Sequence, residues 1–296
     1  MERVAWLGTG MLGSGFVLRL REQGVAVDVW NRTPARLAPL VAAGAVAHSS
    51  IAAAVAQATR VHLCLSDDEA VDAVLQEVVK AIPKEVLVVD HTTVAPQPTA
   101  RRAEKAQQQG LAFVHAPVFM APENARQGTG MMLVSATQAL FARAEPVLKG
   151  MTGKLLYLGE RPDQAAAFKL FGNCMILAMA SGMNDLFVLA RATGIDPVEA
   201  LSLFKDFPVG RQIEGRGARM ARGDFEPSFE LSMARKDVRL MLETARAAPD
   251  AALIMLPAMA QRMDELLAQG LGAKDMGVIA RDVFGAVVQT GRRREP

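Results

Sequence analysis

The chain has 296 residues, 51% of them hydrophobic and 22% charged, enough to bury one large core or two moderate ones. Lys and Arg number 33 against 31 Asp and Glu, and apart from the terminal GRRREP the basic residues are scattered. No stripe for nucleic acid or anionic lipid is visible, and the last five residues read as a solvated tail. Cys64 and Cys174 sit in apolar runs without C-x-x-C spacing, which argues against a disulfide framework or a zinc site and fits a reducing cytoplasm. The opening MERVAWLGTG reads as a strand and turn rather than a signal peptide.

In chain order, short β-branched runs at 4–7, 25–30, 61–65, 86–89, 113–116, 132–134 and 155–157 alternate with segments of helical length. This alternation implies βαβ units and a mostly parallel sheet covered on both faces. Strand signals stop near residue 160. A long helical pattern then covers 162–192, followed by helical segments at 197–206, 210–222, 230–247, 251–269 and 274–290. The long helix contains Lys169, Asn173, Asn184 and Asp185, too many polar groups for a membrane span, and is expected to be buried. Met175, Met179, Met183, Met220, Met233, Met241, Met255 and Met263 recur in apolar stripes expected in the core.

The first chemistry lies in LGTGMLG. Gly8, Gly10 and Gly13 form G-x-G-x-x-G directly after a strand and at the opening of a helix, with Thr9, Met11 and Leu12 completing the loop. The glycines permit a tight turn, close approach to a diphosphate, and close helix–strand packing. Free N–H groups at the helix start then hold phosphate. The fold class is therefore α/β, an N-terminal Rossmann-type doubly wound sheet (1–161), a long joining helix (162–192) and an all-α C-terminal domain (193–296).

The end of the second strand reads VDVWNRTPAR, with Asn31, Arg32 and Thr33 where an acid would bind the ribose hydroxyls. An amide, a guanidinium and a hydroxyl, with Arg36 one turn on, favour a 2′-phosphate, hence NADP(H) over NAD(H). Asp28, inside the strand, is less well placed. Another strand ends at Leu65, and Leu65 and Ser66 offer backbone to the cofactor, with Ser66 the expected helix cap. Thr92 and Thr93 could reach ribose or substrate. His91 and His115 lack a carboxylate or cysteine pattern and read as structural, with no metal site expected.

On these motifs the chain resembles the β-hydroxyacid dehydrogenases, over essentially its whole length. GTGMLGSGFVLRLREQG is similar to the family's dinucleotide motif, and HAPVFMAPENARQGTG to its substrate-binding segment. FKLFGN matches the segment with the catalytic lysine and the asparagine four residues on, Lys169 and Asn173. ARKDVRLMLETA is similar to the K-D-L-x-x-A motif, which implies that Lys236 approaches the nicotinamide end of the cofactor, with Asp237 orienting it. The WNRT ending resembles the NADPH-using semialdehyde reductases. The resemblance further implies a homo-oligomer and a small carbonyl or hydroxy substrate.

On an α-helix, Lys169 and Asn173 point the same way. A lysine desolvated against apolar walls has a lowered pKa and becomes a better proton donor near neutrality. The substrate segment departs from the family. Phe119, Met120 and Ala121 follow Val118 where Ser-Gly-Gly is usual, and Pro122 removes a further N–H. A less polar or bulkier carbonyl compound is expected, or a carboxylate bound elsewhere, by Arg211 or by Thr92 and Thr93. Two alternatives are an imine reductase, whose pocket Phe119 resembles but whose missing lysine Lys169 opposes, and a noncatalytic NADP-binding module.

Overall fold

The computed structural model describes residues 2–289, so the expected tail at 292–296 lies outside the described residues. In the first half, strands β1 (Arg3–Leu7), β2 (Ala26–Trp30), β3 (Val46–Ala47), β4 (Arg60–Leu63), β5 (Leu87–Asp90) and β6 (Ala112–His115) form one parallel sheet in the order β3-β2-β1-β4-β5-β6. The alternation of side chains along each strand feeds two cores. Val4, Trp6, Val29 and Val89 face one side, and Ala5, Leu7, Val61 and Val88 the other. The helices between them are α1 (Met11–Glu22), α2 (Ala38–Ala42), α3 (Ile51–Val55), α4 (Asp68–Ala81) and α5 (Pro96–Gln108).

The expected strands at 132–134 and 155–157 do not join this sheet. β7 (Val118–Phe119), β8 (Met131–Val134) and β9 (Lys154–Tyr157) form a second, three-stranded sheet, with α6 (Pro122–Gln127) and α7 (Gln138–Lys149) between its strands. A single bridge, His115 to Ser135, links the end of β6 to the residue after β8. The two-residue strands β3 and β7 and the short α6 carry too few residues to show a period in sequence.

The chain divides at Cys174/Met175, inside α8 (Gln164–Thr193), into two compact units. In the second unit follow α9 (Pro197–Asp206), a π-helical turn at Ile213–Gly217 running into α10 (Ala218–Met220), α11 (Leu231–Ala245), α12 (Leu256–Ala268) and a 3₁₀ segment over Met276–Gln289. Leu231, Ala234 and Val238 of α11 pack on Leu256, Ala260, Met263 and Leu266 of α12.

Two expectations fail here. The long helix is not buried. Ala165, Ala166 and Lys169 near its start and Asp185, Val188 and Ala190 near its end are covered, but Ile176 (56% exposed) and Leu177 (67%) in its middle are open. By length and composition alone it could cross a membrane. Of the methionines expected in the core, Met263 is buried, whereas Met175, Met179, Met183, Met233 and Met241 are exposed. Apolar residues run all round the middle of α8, and among the described residues nothing covers them.

Candidate functional site

The glycine-rich loop is built as its spacing requires. Gly8 has φ +98° and donates its N–H to the Trp30 carbonyl at 2.9 Å. A Cβ on it would meet the Cys64 carbonyl oxygen at 2.3 Å, and a Cβ on Gly13 would meet Gly8 O at 2.2 Å. Above Gly10 there is open space. No side chain caps α1, so its first N–H groups are free to face an anion. The Thr9 hydroxyl is buried without a partner.

Gly8, Gly10, Met11, Leu12 and Gly13 line a cavity of about 740 Å³ together with Trp30, Asn31, Arg32, Thr33, Arg36, Leu65, Ser66, Thr92 and Thr93, whereas the buried Thr9 side chain is not part of its lining. Its size suits a nucleotide-sized ligand. Met11 is exposed beside it and Leu12 half-buried. Arg32, Thr33 and Arg36 are exposed on one rim. Asn31 is already employed: its Oδ1 accepts from Thr9 N and its Nδ2 donates to Thr33 O. Asp28 is turned away, held by Arg3 Nε at 2.5 Å and His48 Nε2 at 2.7 Å. Burial raises its pKa, but these two partners outweigh that and the net shift is downward.

Ser66 does not cap α4. Asp67 does, accepting from Ala70 N at 2.8 Å, while Ser66 Oγ donates to Asp67. Thr92 Oγ1 accepts from Leu65 N at 3.0 Å, tying the loop after β4 to the loop after β5. That leaves Thr93 as the exposed hydroxyl of the pair. An open diphosphate cradle and a basic rim fit a dinucleotide.

A second constellation lies on the first turns of α8. Lys169 is 9% exposed, and its Nζ donates to Asn173 Oδ1 at 3.0 Å. The Phe119 ring covers the ammonium, its centroid 4.1 Å from Nζ. Burial lowers the Lys169 pKa, and the aromatic face and the amide partly compensate the ammonium. The ring fits because residue 172 is glycine: a Cβ there would lie 2.2 Å from Phe119 Cζ. Lys169, Gly172 and Asn173 occupy one helix face. Gly172 was legible in sequence only as a helix glycine, a residue that costs about 1 kcal/mol and so asks for a reason.

The rest of the expected substrate segment is placed otherwise. Val118 is buried in the core and Met120 packs against it. Ala121 is exposed, but its N–H donates to Asn124 Oδ1 at 2.8 Å. Alternation along β7, paired with β8, turns Phe119 alone toward the lysine. α6 leans on α1 at Gly15, where a Cβ would meet Pro122 O at 2.5 Å. The segment carrying Phe119 is thus seated on the helix that opens at the glycine loop.

In the second unit, Lys236 lies on the exposed side of α11, opposite Ala234 and Val238, with Nζ 2.7 Å from Asp237 Oδ1. Arg211 is exposed just before the π-helical turn. Among the described residues no group of His, Cys, Asp and Glu is arranged to hold a metal.

A parallel sheet in this order, with a glycine cradle beyond its carboxyl ends, defines a dinucleotide-binding protein. Residues 3–159 match the NAD-binding domain of 6-phosphogluconate dehydrogenase, and residues 164–282 the NAD-binding domain of NADP-dependent 3-hydroxyisobutyrate dehydrogenase. The chain belongs to the β-hydroxyacid dehydrogenase family. It is 26% identical to 2-(hydroxymethyl)glutarate dehydrogenase of Eubacterium barkeri, over 94% of each chain. It is 27% identical to glyoxylate/succinic semialdehyde reductase 1 of Arabidopsis thaliana, over 81% of this chain and 84% of that one. An imine reductase from Myxococcus stipitatus in complex with NADP⁺ shares the fold, with TM-score 0.85 and 21% identity over 95% of this chain and 99% of that one.

Proposed function

We propose that this protein is an NADPH-dependent reductase of a small carbonyl compound with an apolar substituent, in which Lys169 is the proton donor. The observation that carries the reading is the sequestered ammonium of Lys169, held by Asn173 and roofed by Phe119. A buried cation without a carboxylate partner is costly to keep unless it is used. Bound NADPH supplies a hydride to the carbonyl carbon. As charge grows on the carbonyl oxygen, Lys169 polarises it and delivers its proton. Asn173 accepts from the ammonium through Oδ1, which leaves its amide N–H groups to steady the substrate oxygen.

Phe119 puts an aromatic face where the family has a hydroxyl, which disfavours a carboxylate at that place and favours an apolar group. Arg32, with Thr33 and Arg36, is assigned to the 2′-phosphate, and Lys236 to the nicotinamide end. The exposed middle of α8 supports a homo-oligomer in which a second copy covers it.

The decisive experiment follows NADPH oxidation against aldehydes, 2- and 3-oxo acids and cyclic imines, with Lys169→Ala alongside. Apolar aldehydes or ketones should be reduced, and Lys169→Ala should lower kcat by about 10²–10⁴ while dinucleotide affinity holds. Because the Lys169 pKa is lowered, reduction should fade as pH rises through a value below that of an ordinary lysine. Turnover of imines alone, or full aldehyde activity in Lys169→Ala, would overturn the assignment. Arg32→Ala should weaken NADPH by about tenfold or more and leave NADH nearly unaffected; equal losses would remove the 2′-phosphate assignment.

A further inference from the structure

Trp6 sits in the central strand β1, fully buried, and the reduction chemistry makes no use of it. Its register partner on β4 is His62, so the two side chains share one face of the sheet. The indole is nearly parallel to the imidazoles of His62 (7°, centroids 4.9 Å apart) and His91 (10°, 5.6 Å). Phe16 of α1 packs against it, with centroids 5.2 Å apart.

The imidazoles cannot turn, because a one-directional hydrogen-bond chain fixes both. A guanidinium only donates, and Arg60 Nε reaches His62 Nε2 at 3.0 Å. His62 must then carry its proton on Nδ1, from which it donates to His91 Nε2 at 2.9 Å. His91 in turn carries its proton on Nδ1 and donates to the Ala116 carbonyl at 2.7 Å. All four ring nitrogens are satisfied only with both rings neutral. Burial pushes His62 well down and His91 to about 4, in keeping with that state.

Held so, Trp6 Nε1 donates to the carbonyl of Gly8 at 3.1 Å. The N–H of the same peptide unit, on Thr9, donates to Asn31 Oδ1 at 3.2 Å. The Gly8–Thr9 peptide plane is therefore pinned at both ends, and its carbonyl lies between the indole and Gly13. Glycine tolerates either orientation of such a plane. A flipped plane would aim the carbonyl dipole at the anion that this loop is built to receive.

We propose that Trp6 is a positioning residue for the cofactor diphosphate: it fixes the Gly8 carbonyl inward, and the His62–His91 pair fixes Trp6. This rests on the dinucleotide reading of the loop. Trp6→Phe keeps an aromatic ring against the imidazoles and removes only the N–H. Its dissociation constant for NADPH, measured by calorimetry, should rise about tenfold, the effect of one hydrogen bond to a buried carbonyl. Adenosine 2′-monophosphate, which lacks the diphosphate, should bind as to wild type, kcat at saturating NADPH should be unchanged, and amide exchange at residues 8–10 should quicken. Unchanged NADPH affinity, or equal weakening of both ligands, would overturn the proposal alone. A wild-type protein that binds neither NADPH nor NADH would overturn the loop reading and the proposal with it. Should Trp6→Phe not fold, the benzothiophene analogue of tryptophan at position 6 in a Trp30→Phe background removes the same N–H without changing shape, judged against Trp30→Phe by the same affinities.

Discussion

Asp28 in the first unit and Asp185 and Asp275 in the second are satisfied in opposite ways, although Asp90 in the first also accepts from backbone, the Thr92 N–H. In the first, Asp28 spends its oxygens on the side chains of Arg3 and His48, which reach toward solvent and could be hydrated if released. In the second, Asp185 accepts from the backbone N–H groups of Ile254, Met255 and Leu256, and Asp275 from those of Ser228, Phe229 and Gly277. Burial raises both pKa values, but the backbone donors, with Ser228 Oγ on Asp275, outweigh it and the net shift is downward. A sheet satisfies its own backbone through its ladder. A helix start leaves N–H groups without intrahelical partners; Asp185 collects those around the start of α12, and Asp275 collects that of Gly277 in the 3₁₀ segment together with two just ahead of α11.

That contrast can be tested most strongly at Asp275. Asp275→Ala strands three backbone donors and the Arg216 guanidinium, and should cost about 3 kcal/mol or more in denaturant unfolding. Asp28→Ala should cost about 1 kcal/mol, because its partners are side chains that can turn to water. Equal losses would mean that the second unit does not depend on its carboxylates in this way.

Acid should separate the units by pH. A buried histidine whose folded pKa lies below its unfolded value contributes stability that is whole above about pH 6.5 and is lost as pH falls toward the folded value. With His91 at about 4, this alone amounts to roughly 3 kcal/mol. Its neighbours are Arg60 through His62, Asp90 and His115. The aspartates of the second unit keep their contribution until pH falls below about 4. Probes in the first unit should therefore report loosening between pH 6 and 4 while those in the second hold.

A smaller effect is expected at the lysine site. Gly172→Ala forces its methyl into the Phe119 ring and should destabilise by about 1–2 kcal/mol, the overpacking cost less the helix gain of alanine. Combining it with Phe119→Ala should remove most of that penalty, as a double-mutant cycle would measure.

What could be read beforehand divides along the same line. The strands of the main sheet other than β3, and the glycine loop, declare themselves because their periodicity and spacing are local. Lys169 and Asn173 were visible because four residues on a helix is a local distance too. The partners that give them meaning were not. Phe119 approaches Lys169 across fifty residues, and Asp185 meets the start of α12 across about seventy. Ser66 and Asp67 both suit a cap, and only backbone geometry chose the second. The middle of α8 misled because an all-round apolar helix looks the same whether its cover comes from its own chain or not.

The fit of the Phe119 ring over Gly172 also sets an order in which these two positions can change. A side chain at 172 meets a wall while Phe119 remains, whereas shrinking residue 119 first leaves room at both positions. Each substitution is thus permissive or harmful according to which came before. Any lineage or library that varies this contact passes through position 119 before it can use position 172.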